Sequence, residues 1–95
     1  MSDPLGQVFG ALADPSRRQV IDYLSERGTA TATELTGELP MTRQAVSKHL
    51  ATLADAGLVE SERLGRETRY RLTEAGEEWD GRLEALKRHL QGRNA

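Results

Sequence analysis

Apolar residues recur at helical spacing along most of this chain, and change to alternation only near its middle. Leu5, Val8, Phe9 and Leu12 follow i, i+3, i+4, i+7 spacing, which predicts a short amphipathic helix. Asp14-Pro15 interrupts it: Asp14 suits an N-cap and Pro15 the first position of a second helix. Val20, Ile21 and Leu24 give that helix an apolar face, and Gly28 suits its C-terminal end. Thr31-Ala32-Thr33-Glu34 has the spacing of a capping box and opens a third helix with Leu35 and Leu39 inward, ended by Pro40. Thr42 is the N-cap of a fourth helix. On it Leu50 and Leu53 fall within about 40° of Val46, so these three form its buried stripe, and Gly57 closes it.

Beyond that helix the period shortens to two. Val59–Leu64 and Glu67–Leu72 flank Gly65-Arg66, which predicts a hairpin. Thr68, Tyr70 and Leu72 alternate with Arg69 and Arg71, placing Tyr70 and Leu72 toward the core and the arginines outside. Thr73 then caps a final helix. Its Trp79, Leu83, Leu86 and Leu90 recur at intervals of four, three and four, a narrow apolar seam that needs a partner: the first helix, or the same helix of a second chain. No internal repeat or low-complexity linker interrupts the pattern, and only Gln91–Ala95 read as frayed. The expectation is one domain over residues 1–95, mainly α with a small β-hairpin: about five helices and a two-stranded wing. Helix, turn, helix, hairpin is the layout of a winged helix-turn-helix, in which one helix enters the DNA major groove and the hairpin reaches the backbone or a neighbouring groove.

Composition changes this picture in three places. A chain of 95 residues with 37% apolar residues and four aromatic ones has a modest core, which a dimer would extend. The absence of cysteine excludes disulfides and thiolate metal sites and fits a cytoplasmic protein. No apolar run approaches membrane-spanning length, and the first residues lack a signal-peptide pattern. The net charge of −2 argues at first against nucleic acid, but the charge is unevenly placed. Residues 41–71 hold six Lys/Arg against four Asp/Glu, whereas residues 1–40 hold three against six. A local basic face matters more for phosphate contact than the whole-chain balance.

The outer side of the fourth helix carries Gln44, Lys48 and Ala51, with Arg43 and Ser47 on its flank, and the first acid after Thr42 is Asp55. Arg43 and Gln44 have the donor geometry to read guanine and adenine edges. Thr42, Arg43, Gln44, Ser47 and Lys48, with Arg63, Arg66 and Arg69 of the hairpin, form the candidate DNA-binding set. Arg66 at the turn reaches minor groove or phosphate, Arg69 a phosphate, and Arg71 an acid, Glu60 or Glu74. Of Arg17 and Arg18, one approaches the DNA backbone and the other pairs with an acid. Arg82, Lys87, Arg88 and Arg93 form a solvated face. His49 lies at the edge of the buried stripe and reads as a structural, hydrogen-bonded residue, with a phosphate contact as the rival role. Ser47 and His49 point about 200° apart on a helix, which is no nucleophile–base pair, and no catalytic constellation is visible elsewhere. The rival to DNA binding is a winged helix that serves only as a protein–protein module.

Asp14-Pro15 with Arg17 and Arg18, Ser47-Lys48-His49-Leu50, Ala56-Gly57-Leu58-Val59, Gly65-Arg66 and Tyr70 together resemble the ArsR/SmtB family of bacterial winged-helix repressors, over roughly residues 5–90. The resemblance implies a cytoplasmic homodimer built on the first and last helices. Its interface would hold Leu5, Val8, Phe9, Leu12, Trp79, Leu83, Leu86 and Leu90, and its fourth helix would enter double-stranded DNA at an inverted-repeat operator. The chain departs from the metal-sensing members. Thr36 and Glu38 stand where their third helix carries two thiolates; Asp80 is followed at plus two by Arg82 rather than histidine, and only His89 lies downstream. Two histidines do not make an ordinary nitrogen-rich zinc site, so no metal or cofactor is expected, and the inducer is unnamed.

Overall fold

The computed structural model describes residues 3–93, with side chains through residue 92. Helices α1 (Pro4–Ala13) and α2 (Pro15–Arg27) are followed by a short strand β1 (Ala30–Thr31). Helices α3 (Ala32–Glu38) and α4 (Arg43–Asp55), strands β2 (Val59–Leu64) and β3 (Glu67–Leu72), and helix α5 (Glu74–Arg93) complete the chain. This is the winged helix-turn-helix layout. The helix starts are chemical. Asp14 accepts from the Ser16 amide at 2.7 Å ahead of Pro15, and Thr31 and Glu34 form the full capping box of α3. Thr42 accepts from the Ala45 amide at 3.1 Å, and Thr73 accepts from the Gly76 amide at 3.0 Å. Gly28 ends α2 at φ 86°, a conformation glycine adopts without steric cost. α5 stays helical through Arg93, so the frayed end predicted from Gln91 is not seen there; Asn94 and Ala95 lie outside the described residues.

Two differences from the pattern-based expectation have local causes. The sheet has three strands, in antiparallel order β1-β3-β2, because Ala30 and Thr31 pair with Tyr70 and Arg69. Two residues are too few to show an alternation. Arg17 and Arg18 both turn onto the end of α1. Arg17 donates to the carbonyls of Ala11 (2.8 Å) and Gly10 (3.1 Å), and Arg18 to that of Leu12 (2.6 Å). Helix ends leave their last carbonyls without intrahelical partners, and these guanidinium groups supply them. Arg17 also pairs with Asp14 at 3.5 Å.

The core gathers Val20, Ile21 and Leu24 of α2, Leu35 of α3, the Val46–Leu50–Leu53 stripe of α4, and Leu58, Val59 and Leu72 at the foot of the hairpin. Ala11, Leu12 and Ala30 complete it. Leu12, predicted for the interface, is buried in the chain's own core. At the other end of the core, α5 starts so close to the hairpin that a Cβ at Gly76 would overlap the Leu58 carbonyl oxygen. Of the remaining seam residues Val8, Trp79 and Leu83 pack partly against the core, while Leu5, Phe9, Leu86 and Leu90 are each half exposed or more. His49 is partly buried, and its Nδ1 is buried without a hydrogen bond, so the predicted hydrogen-bonded ring does not hold at that atom. No helix among the described residues is long and apolar enough to cross a membrane.

Candidate nucleic-acid interface

Burial of Val46, Leu50 and Leu53 orients α4 and leaves its opposite side in solvent. Arg43, Gln44, Ser47, Lys48 and Ala51 are all exposed there. The N-terminal turn of a helix carries partial positive charge and unpaired amides, which favours phosphate. Thr42 spends its oxygen on the cap and keeps a hydroxyl proton to donate. Arg43 donates one Nη1 hydrogen bond to Thr33 Oγ1 at 3.0 Å, which ties the start of α4 to α3.

The hairpin projects beside this helix. Its strands pair from Val59↔Leu72 at the base to Leu64↔Glu67 at the tip. Gly65 has φ 62° and Arg66 does not have positive φ, the glycine placement of a tight type II′ hairpin turn. Arg66 stands exposed at this tip, and Arg63 bends its Nε onto the Gly65 carbonyl at 3.0 Å. Between the wing and the α3–α4 unit lies an open groove of about 590 Å³, whose lining sets the donors Thr33, Arg43, Ser47, Arg66, Thr68 and Tyr70 beside two acids, Glu34 and Glu67. Both acids lie within ion-pair distance of Arg69, and the remaining hydroxyl and guanidinium donors suit a sugar–phosphate backbone. Thr33, Thr68 and Tyr70 were not among the candidate residues: Tyr70 follows the core alternation, and the two threonines carry no distinctive spacing.

The other wing arginines are committed to acids. Arg69 donates through Nε to Thr29 Oγ1 and through Nη2 to Glu34 Oε1, both at 3.0 Å, and its Nη1 lies 3.5 Å from Glu67. Its side chain is only 24% exposed. Arg69, predicted as a phosphate contact, is thus turned onto the body of the domain. Arg71 pairs with Glu60 at 2.9 Å and Glu62 at 3.3 Å, and the Glu60 hydrogen bond pushes its pKa up. The positive excess of residues 41–71 accordingly rests on Arg43, Lys48, Arg63 and Arg66.

Away from this face, Asp22, Asp80 and Glu84 bring carboxylate oxygens within 4.8 Å of one another between α2 and α5. Burial pushes the Asp22 carboxyl pKa up; the charges of Asp80 and Glu84 add to this, and Lys87 opposes it. Ser25 donates to Asp80 at 2.9 Å. Thr36 donates its hydroxyl to the Ala32 carbonyl at 2.8 Å, within its own helix.

Comparison with known proteins agrees with this geometry. A helix-turn-helix domain family model matches residues 12–62. The uncharacterised HTH-type transcriptional regulator YuzN of Bacillus subtilis is 49% identical over 65 residues, covering 62% of this chain and 71% of the relative. An ArsR-like transcriptional regulator from Rhodococcus sp. RHA1 superposes with a TM-score of 0.71 at 40% identity, over 90% of this chain and 91% of that one. The homodimeric winged helix-turn-helix DNA-binding domain of Mb0332 from Mycobacterium bovis, a possible ArsR-family regulator, superposes with a TM-score of 0.76 at 30% identity, over 95% and 80%. The chain also matches mercury and arsenic resistance regulators, of which it spans just over half the length.

Proposed function

The chain belongs to the ArsR family of helix-turn-helix transcriptional regulators, DNA-binding proteins and not enzymes, and we propose that it acts as a homodimeric repressor on operator DNA in the bacterial cytoplasm. The observation that carries this reading is the exposed outer face of α4, which holds no acid from Thr42 to Ala54, set beside the wing tip. Arg43 and Gln44 read base edges in the major groove, where a bidentate pair discriminates by about 1–3 kcal/mol. Thr42 and Ser47 fix register on phosphates. Lys48, Arg63 and Arg66 supply affinity that falls with salt. Two copies join through α1 and α5, with Leu5, Phe9, Leu86 and Leu90 as the exposed apolar contribution and Val8, Trp79 and Leu83 behind them. A two-fold dimer of this kind matches an inverted repeat with half-sites about one helical turn apart. The signal that relieves repression does not act through the usual metal sites of the family, since the positions of the third-helix thiolates hold Thr36 and Glu38.

Selection of duplexes from random-sequence DNA by the purified protein tests this reading. An enriched inverted repeat, bound more weakly as salt rises, is the expected result. Failure to retain any duplex at low salt overturns it in favour of a protein–protein module.

A further inference from the structure

Every residue from Glu60 to Glu67 is exposed, so the outer half of the wing takes no direction from packing. What holds it lies at its base. Thr31 pairs with Arg69 across β1 and β3, and the Arg69 guanidinium reaches past that pair to Thr29 and Glu34. Glu34 Oε1 accepts two hydrogen bonds at once, from the Thr31 amide at 2.8 Å and from Arg69 Nη2 at 3.0 Å. The Thr31 amide first, and the Arg69 charge after it, hold the Glu34 carboxyl below the usual glutamate range, so it stays ionised at neutral pH. One carboxylate oxygen thus completes the cap of α3 and anchors the wing.

We propose that Arg69 is a positioning residue: it leaves the DNA to other side chains and, through Glu34, sets the angle between the wing and the helix-turn-helix. The inference rests on the DNA-binding reading above. Its mechanical basis is leverage. Arg66 lies three residues beyond Arg69, a lever of about 10 Å in an extended strand. A tilt of roughly 10° at the base moves the tip by about 2 Å, enough to lose a hydrogen bond to a phosphate. A guanidinium fork with three partners resists that tilt, whereas an ammonium at the same place holds a charge but no fixed plane.

Glu34→Gln separates the two roles of Glu34, because glutamine at this position still completes a capping box but no longer pairs with a cation. Removing an acid near DNA strengthens binding on electrostatic grounds alone, so the sign of the effect is diagnostic. The full chain is measured on the tightest duplex that the wild type selects. Glu34→Gln and Arg69→Lys are each expected to weaken binding by roughly three- to tenfold, the scale of a lost charge-assisted hydrogen bond at a partly exposed site. The double variant is expected to be no weaker than the worse single one. In the free protein, amide exchange over residues 62–68 is expected to accelerate in both variants. Equal or tighter binding by Glu34→Gln overturns the inference. So does Arg69→Lys binding as wild type while Arg69→Ala loses about 0.9 of a unit of salt slope per half-site, the mark of a direct phosphate contact. If the wild type retains no duplex, it is the DNA-binding reading that has failed; the exchange experiment then decides alone, and unchanged rates overturn the anchor.

Discussion

Phe9 of α1 meets Trp79 of α5 edge to face, with ring centroids 5.5 Å apart and planes at 79°. The geometry suits the opposite charges of a ring edge and a ring face. Arg82 lies 5.1 Å from the centroid of the same indole. The contact ties the first and last helices together within one chain, and yet Phe9 remains 53% exposed. Leu5, Leu86 and Leu90, on the same two helices, are exposed to a similar degree.

Dimer formation is expected to depend on the outer residues of that surface. Leu86→Asp with Leu90→Asp should leave the protomer folded, because both side chains are exposed in the single chain. Burying two unpaired carboxylates in an interface costs at least about 2 kcal/mol, so the dissociation constant should rise by roughly thirtyfold or more. Leu83→Asp should instead damage the protomer, since Leu83 packs against its core. Sedimentation measures the first effect and thermal unfolding the second; a wild type that is monomeric at micromolar concentration refutes the dimer.

Readout and affinity should separate between Gln44 and Arg66. Gln44→Ala is expected to relax preference at one base pair per half-site, by about 1–3 kcal/mol if the contact is bidentate. Arg66→Ala is expected to weaken all sequences evenly and to lower the salt slope by roughly one unit per half-site. A panel of single-base operator variants at several salt concentrations distinguishes them. Reversed effects would make the wing the reader, and no effect from either would move the docking face elsewhere.

Gly76→Ala should be among the most damaging small substitutions in the chain. The added Cβ would meet the backbone carbonyl of Leu58, which cannot rotate away, and the Leu72 side chain is close behind it. Overpacking of this kind costs about 1–3 kcal/mol and more against fixed backbone. Chemical denaturation reads it directly, and Gly81→Ala, with open space at its Cβ, is the control.

Asp22→Asn should stabilise the protein near neutral pH. The folded Asp22 carboxyl has its pKa raised above 3.8 by burial, with Asp80 and Glu84 adding. A raised folded value means that its contribution to stability is fully present below 3.8 and is lost as pH rises through the folded value. The variant should therefore melt higher than wild type at about pH 7, with the difference vanishing in acid. Asp14 and Glu34 run the other way, since backbone amides hold their folded values low; their contribution is lost as pH falls. Melting curves across the acid range test the sign, and a lower midpoint for Asp22→Asn near pH 7 contradicts it.

Zinc, cadmium and arsenite are expected not to release the protein from its operator at stoichiometric amounts. The chain has no cysteine and two histidines. Titration of the bound complex with each ion checks this, and release at one ion per site would show that an oxygen-rich site operates instead.

Much of the architecture was legible because it is made by neighbours in sequence. Caps at Asp14, Thr31, Thr42 and Thr73 act within two or three residues. The Val46–Leu50–Leu53 stripe repeats at the helical period, and burying it determines that Arg43, Gln44, Ser47 and Lys48 face outward. Gly65-Arg66 closes a hairpin of the predicted bounds. The candidate face on α4 follows from those short-range terms.

The fate of individual charges and of short segments does not follow from them. Arg69 and Arg71 are alike in sequence, next-but-one neighbours on a strand, yet one is turned onto Glu34 at a separation of 35 residues and the other lies along β2. The two residues of β1 become a strand only because Tyr70 and Arg69 arrive beside them. Leu12 shares the helical spacing of Leu5 and Phe9, and its burial depends on where α2 and α4 pack against α1. A local pattern specifies which face of an element is apolar, because its period is set by backbone geometry. Which partner a long side chain reaches, and which apolar residue is covered, depends on groups far apart in sequence, and folding alone brings these within a few ångströms.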